Sequence, residues 1–188
     1  IINHTMPLNI IIYEDNIHLG SSLRTLFYWN QEYKVLAVLT NPGSILTDLA
    51  VLKPDILLMD IDMPIMTGVE AIKLVRKNNI QIPVIMLTVF EDDDRILQAI
   101  QAGASGYLIK NTSPGKIIEA IKDVKAGGAP LTPSVAKKIL NTLPSSSKPE
   151  NSSNSNNHNL SDREYEILSL FAKGYSYKMA ASALNLSV

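Results

Sequence analysis

Four apolar runs, each stopped by a polar side chain, constrain this chain more than any other feature. Ile56-Leu57-Leu58-Met59 ends on Asp60 and is halted by the turn at Met63-Pro64. Leu8-Asn9-Ile10-Ile11-Ile12-Tyr13 runs into Glu14-Asp15, Ile82-Pro83-Val84-Ile85-Met86-Leu87 ends on Thr88, and Gly106-Tyr107-Leu108-Ile109 ends on Lys110. Short, nearly continuous apolar runs read as strands covered on both faces, as in a parallel sheet. In open α/β sheets the groups that bind and react gather at the carboxyl ends of the strands. Parallel neighbours would therefore bring three carboxylates, a hydroxyl and an ammonium group to one rim. Carboxylates are hard oxygen ligands suited to Mg²⁺, and Thr and Lys can pair with phosphoryl oxygens. Singly, each group has a plainer role, as a turn former, a cap or a solvated side chain. Their order at successive strand ends is what points to a site.

Between the runs the period changes to that of helices. Ile17 to Trp29 carries Leu19, Leu23, Leu26 and Phe27 at helical spacing, and Lys34 to Thr40 reads as a short strand. Gly68 to Asn78 has Val69, Ile72 and Val75 on one face, Glu91 to Gly103 follows Thr88, and Ser113 to Gly127 carries Ile117, Ile118, Ile121 and Val124. Ser113 and Pro114 read as an N-cap with Pro at the first helical position. Five β/α units in this order predict an α/β fold, a doubly wound five-stranded parallel sheet with right-handed crossovers. The run Glu91-Asp92-Asp93-Asp94 is read as favourable charge at a helix amino terminus, not as a metal site.

Glu14-Asp15, Asp60 followed by Met63-Pro64 and Thr67-Gly68, then Thr88 and Lys110, resemble the receiver domain of bacterial two-component response regulators over roughly residues 8 to 127. The resemblance implies a flavodoxin-like strand order, 2-1-3-4-5, which periodicity does not give. It also implies that Asp60 is the phosphoacceptor, taking a phosphoryl group from a sensor histidine kinase or a small donor. Mg²⁺ would be held by Asp15, Asp60 and the backbone carbonyl of Asp62, with Glu14 acting through water. Lys110 and Thr88 would bind phosphoryl oxygens, and Tyr107 would turn inward as Thr88 moves. Some positions depart from the family's pattern. Glu14 stands where many receivers have Asp, and Val89, where many have a small residue, should narrow access to Asp60. Asn111 replaces the frequent Pro after Lys110, so that a cis bond there would cost about 3 kcal/mol.

Pro130-Leu131-Thr132-Pro133 followed by Ser134 to Leu143 predicts one more helix. Pro144 to Asn159 is then dominated by Ser, Asn and Pro and reads as a linker. His158 lies within it, His4 in a terminal tail and His18 on a helix near the rim, without the spacing of a zinc site. Beyond the linker, Ser161 and Glu164 form a capping-box pattern, with Leu160 placed to staple onto Tyr165. Leu160-Ser161-x-Arg163-Glu164, Gly174-x-Ser176-x-Lys178 and Leu184-x-Leu186-Ser187 resemble the start of the helix-turn-helix output domain of NarL/FixJ (LuxR-type) regulators. A recognition helix would follow Val188, so no DNA-reading residue is expected in residues 160–188, where Arg163, Lys173 and Lys178 are balanced by Asp162, Glu164 and Glu166. Ala180 stands where a larger aliphatic residue is frequent, which predicts looser packing of this tail. The expected organisation is a receiver at 1–127, an interdomain helix and linker at 128–159, and an incomplete all-α helix-turn-helix unit at 160–188.

A chain of 188 residues with 46% hydrophobic residues can bury a real core. A net charge of −1 gives no global field for nucleic acid or anionic membrane, so contact with promoter DNA would have to be local. Cysteine is absent, no run of about 18 apolar residues is present to span a bilayer, and the first residues lack a signal peptide's pattern. Met6 is a candidate natural start, with residues 1–5 ahead of it. These features predict a soluble cytoplasmic protein, and the resemblance implies a transcription regulator with a sensor kinase, promoter DNA and a second copy of itself as partners. Asp60-x-Asp62 also resembles the nucleophile and acid of haloacid-dehalogenase-like phosphatases, but the paired acids here lie upstream and Met63-Pro64 follows. The other alternative is a receiver acting only as a protein-binding module or phosphate sink.

Overall fold

The computed structural model describes residues 6–89 and 93–142, together with Glu166, Ser169 and Leu170. Strands and helices alternate as β1 (Leu8–Tyr13), α1 (Ile17–Tyr28), β2 (Tyr33–Leu39), α2 (Ile45–Leu52), β3 (Ile56–Met59), α3 (Gly68–Lys77), β4 (Val84–Thr88), α4 (Asp93–Gln101), β5 (Gly106–Ile109), α5 (Pro114–Lys125) and α6 (Pro133–Thr142). The five strands form one parallel sheet in the order β2-β1-β3-β4-β5. This is the doubly wound arrangement expected from the alternation and the resemblance.

Alternate strand residues face opposite layers, which is why the strands carry apolar side chains almost throughout. Ile11, Tyr13, Leu57, Met59 and Met86 pack with α2, α3, α4 and α6, whereas Ile10, Ile12, Leu58, Ile85 and Leu87 pack with α1 and α5. The register matters for function. Tyr13 pairs with Met59, Met59 with Met86, and Thr88 with Ile109, so the carboxyl ends of four strands lie side by side.

Local chemistry explains the helix starts. Asn16 caps α1 by accepting from the backbone N–H groups of His18 and Leu19. Thr67 and Glu70 close a reciprocal capping box at α3, a T-x-x-E pattern visible in the sequence. Ser113 holds the extended N-cap conformation before Pro114, but its hydroxyl makes no capping bond. Helix α2 is an element that periodicity does not announce. Its sequence, ILTDLAVL, is short and apolar enough to read equally as strand, and Ser44 gives it no side-chain cap.

The segment after α5 returns to the sheet. Leu131 forms a parallel bridge to Tyr107, whose N–H donates to Pro130 O at 2.9 Å and whose carbonyl accepts from Thr132 N at 3.3 Å. Helix α6 then buries Val135, Ala136 and Ile139 beside α4. No cis peptide bond occurs among the described residues, so Lys110-Asn111 is trans. Glu91, Asp92, the expected linker and nearly all of the expected helix-turn-helix tail lie outside the described residues. Glu166, Ser169 and Leu170 are helical, and Ser169 Oγ donates to Glu166 O at 2.8 Å.

Candidate functional site

At the shared rim, β1 delivers Glu14 and Asp15, β3 delivers Asp60, β4 ends on Thr88 and β5 leads into Lys110. Asp60, Glu14 and Thr88 are the buried polar residues among those described. A carboxylate in such a place must be paired or hydrogen-bonded. Asp60 is both. Its Oδ1 accepts from the Ile61 backbone N–H at 2.7 Å, and its Oδ2 accepts from Lys110 Nζ at 2.7 Å. Its own N–H donates to Tyr13 O at 3.0 Å, which ties the residue to β1.

Lys110 also reaches Glu14, with Nζ 2.9 Å from Oε1 and 2.7 Å from Oε2. Asn16 N–H donates to Oε1 at 3.1 Å. Burial raises the Glu14 carboxyl above its ordinary value, although the Lys110 and Asn16 hydrogen bonds pull the other way. Burial alone would lower Lys110, but its hydrogen bonds to Asp60 and Glu14 and their charges outweigh that, and its ammonium is held above the ordinary lysine range. Asp15 is exposed and completes an acidic group in which ligand oxygens from Glu14, Asp15 and Asp60 all lie within 4.8 Å of one another.

This donor set fits a divalent hard cation. All the donors are carboxylate oxygens, the hard donor type that such an ion takes, and they lie beside the Lys110 ammonium that pairs with two of them. Of the three carboxylates that could hold such an ion, Asp15 is the accessible one, Asp60 the one bound to Lys110, and Glu14 the most deeply buried. Asp62 is exposed, and its carboxylate points to Arg95 of α4, with Nη1 to Oδ2 at 2.7 Å. Its anticipated contribution is its backbone carbonyl, which leaves the side chain available for that pair.

Two features of the loop after Asp60 are at most faintly signalled in the sequence. Gly68 N–H donates to Ile61 O at 2.7 Å, and a Cβ on Gly68 would stand 2.1 Å from Asp60 O. Helix α3 thus begins against the backbone of Asp60 itself. Ile65 has φ 75° and sits in a γ-turn in which Met66 N–H donates to Pro64 O at 2.9 Å. Positive φ is strained for a β-branched residue. The Thr67-Gly68 pair in the sequence is the one available signal for the first feature.

Thr88 is fully buried at the end of β4, and Tyr107 is fully buried on β5. The expected inward turn of Tyr107 therefore has no outward starting point in this structure, where the ring is already packed against the α3, α4 and α6 layer. Val89 is 63% exposed, so it stands at the mouth of the rim and is not packed into it. His18 is exposed in the first turn of α1 and is not part of the acidic group. No helix among the described residues is long and apolar enough to cross a membrane.

Comparison with known proteins agrees with this geometry. The family described as the response regulator receiver domain matches residues 10–122. The chain is 33% identical over 184 residues to the transcriptional regulatory protein LnrK of Bacillus subtilis (strain 168), covering 96% of this chain and 84% of that protein. It is 30% identical over 183 residues to the response regulator protein VraR of Staphylococcus epidermidis, covering 97% and 84%. A solved two-component response regulator of the LuxR family from Aurantimonas sp. SI85-9A1 superposes with a TM-score of 0.67 at 27% identity, over 72% of this chain and 96% of that one.

Proposed function

The chain belongs to the response regulator receiver family, with relatives of the LuxR class, and from that premise we propose that it accepts a phosphoryl group on Asp60 and regulates transcription accordingly. The observation that carries the assignment is the pairing of Asp60 with Lys110 in a buried rim where Glu14 and Asp15 also meet.

In this reading the Asp60 carboxylate attacks the phosphorus of a phosphohistidine on a sensor kinase, or of a small acyl phosphate. The donor's P–N or P–O bond breaks as the new P–O bond to Asp60 forms, and the leaving group takes a proton from solvent. Ile61 N–H holds the Asp60 rotamer by binding Oδ1. Lys110 holds its ammonium between Glu14 and Asp60, within reach of a phosphoryl group on Asp60. Phosphoryl transfer needs little more from a protein than positioning and charge stabilisation. Asp15, Asp60 and the Asp62 backbone carbonyl, with Glu14 acting through water, would hold Mg²⁺, which when bound would supply positive charge to offset the charge developing on the phosphoryl group.

Thr88, at the end of the strand beside Asp60, offers its hydroxyl to a phosphoryl oxygen. Tyr107 lies one strand further on, packed in the same layer as α4, so a shift of Thr88 toward the phosphoryl group would reach the α4 and β5 surface through the ring without any outward-to-inward turn. The chain in this role catalyses only its own phosphorylation and dephosphorylation. The sensor kinase, promoter DNA and a second copy of the chain are its proposed partners, and the bacterial cytoplasm is its proposed location. Acetyl phosphate with Mg²⁺ should add one acid-labile phosphoryl group, detected by intact mass. Full labelling of Asp60→Asn would refute the assignment.

A further inference from the structure

The loop from Ile61 to Gly68 is closed on itself by the Ile61 to Gly68 hydrogen bond, and its interior carries the strained γ-turn at Ile65. A strained backbone persists only where its surroundings over-determine it. Ile61 and Met63 anchor the loop below, being 3% and 8% exposed. Asp62, between them, faces outward. Its carboxylate is tied to Arg95, 33 residues away in the first turn of α4. The side chains are 46% and 38% exposed, so the pair sits at the edge of the acidic rim and not inside it.

We propose that Arg95 is a positioning residue for phosphoryl transfer: by gripping the Asp62 carboxylate it sets the backbone of the 61–66 loop, and with it the Asp62 carbonyl assigned above to the Mg²⁺ site. This rests on the proposed membership of the Asp62 carbonyl in the Mg²⁺ site. The grip also fixes which part of α4 is tied to the site, because Arg95 lies at the helix's amino-terminal end while α6 packs along the same helix.

Charge and position make opposite demands here, and that makes the inference decidable. If Arg95 acted only through its charge, removing it would leave the rim more negative, bare the Asp62 carboxylate and tighten Mg²⁺ binding. If Arg95 acts by position, removing it loosens the loop and weakens binding. An exposed ion pair has a modest effect, so the expected change is about threefold.

The experiment titrates MgCl₂ into the parent, Arg95→Gln, Arg95→Lys, Asp62→Asn and the Arg95→Gln/Asp62→Asn pair by calorimetry. It also records the Mg²⁺ concentration that gives half-maximal labelling by acetyl phosphate. Positioning predicts weaker binding for Arg95→Gln by about threefold, a matching rise in the half-maximal concentration, partial recovery in Arg95→Lys, and no further loss in the double variant. Unchanged or tighter binding in Arg95→Gln, with the parent still binding Mg²⁺ and labelling on Asp60, overturns this inference and leaves the proposed function standing. Absence of Mg²⁺ binding by the parent, or labelling of Asp60→Asn, overturns the proposed function itself and the inference with it.

Discussion

Gly68→Ala should damage both the fold and the site, and its cost can be worked from the geometry. The added methyl carbon would lie 2.1 Å from Asp60 O, whereas ordinary contacts begin near 3.4 Å. Its other close neighbour, Met86 Cε at 3.0 Å, is the end of a flexible side chain and can move. The backbone carbonyl of Asp60 cannot, because the same residue's N–H is bound to Tyr13 O at the end of β1. Helix α3 must therefore retreat, which strains or breaks the 2.7 Å bond from Gly68 to Ile61. Overpacking of this kind costs about 1–3 kcal/mol and a lost hydrogen bond about 1 kcal/mol, against a gain of at most about 1 kcal/mol in helix propensity. The net expectation is a loss of about 2–3 kcal/mol, or roughly 8 °C in melting temperature. Gly115→Ala is the control. It sits in the first turn of α5 with nothing within 4 Å of the new carbon, so it should be neutral or stabilising by up to about 1 kcal/mol. Urea titrations of both variants, with acetyl phosphate labelling of Asp60, make the comparison. If Gly68→Ala melts with the parent and labels at the same rate, the close approach of α3 to Asp60 is not a constraint and the reasoning fails.

Lys110→Met should destabilise the chain by about 3 kcal/mol, because it strands two buried carboxylates, and added Mg²⁺ should restore part of the loss in denaturation experiments. Lys110 is held above its ordinary value of 10.5, so its contribution is fully present below that pH and is lost as pH rises through the higher folded value. Unfolding curves from pH 9 to pH 12 should show the parent losing stability relative to Lys110→Met. Identical slopes would count against the ion pairs. Asp15→Asn should weaken Mg²⁺ binding more than Glu14→Gln, since Asp15 is the accessible ligand while Glu14 is already bound to Lys110; equal effects in calorimetry would reverse that ranking. Val89→Ala should leave stability within about 0.5 kcal/mol, its side chain being exposed, yet speed both labelling and loss of the phosphoryl group by opening the mouth of the rim. Unchanged half-life and labelling rate would remove Val89 from any role in access.

The sequence is most legible where one local rule decides the outcome. The strands can be read because burial on both faces demands apolar residues without interruption, and the rim follows because each run ends on a polar group. Glu14, Asp15, Asp60 and Lys110 meet there, with Thr88 at the end of the strand next to that of Asp60. What cannot be read depends on distance along the chain. Lys110 meets Glu14 across 96 residues, and the Asp62 to Arg95 pair spans 33. Arg76 donates to both Ile80 O and Gly103 O at 2.8 Å, a brace that no spacing announces. Tyr13 OH donates to Asp48 Oδ2 at 2.9 Å, so a residue that reads as plain strand filler ties β1 to α2. The extended segment at Pro130 to Thr132 reads only as a lead into a helix, because its pairing with Tyr107 depends on where β5 ends the sheet.

That pairing has a consequence for how the molecule behaves in a crowd. β5 is the last strand of the sheet, and a bare final strand offers its open N–H and C=O groups to any other chain that passes. Here Gly106 lacks the side chain that would collide with Pro130, whose ring carbon would lie 2.9 Å from a Cβ at that position. The chain's own continuation can therefore lie along the strand and take up the donor and acceptor of Tyr107. A version ending at Gly127 would keep every residue of the acidic rim but expose this edge, together with the apolar surface that Val135 and Ile139 cover. It should label on Asp60 and yet become sticky and clump as its concentration rises, which makes residues 130–142 a guard against adhesion between molecules as much as a bridge toward the carboxyl-terminal residues.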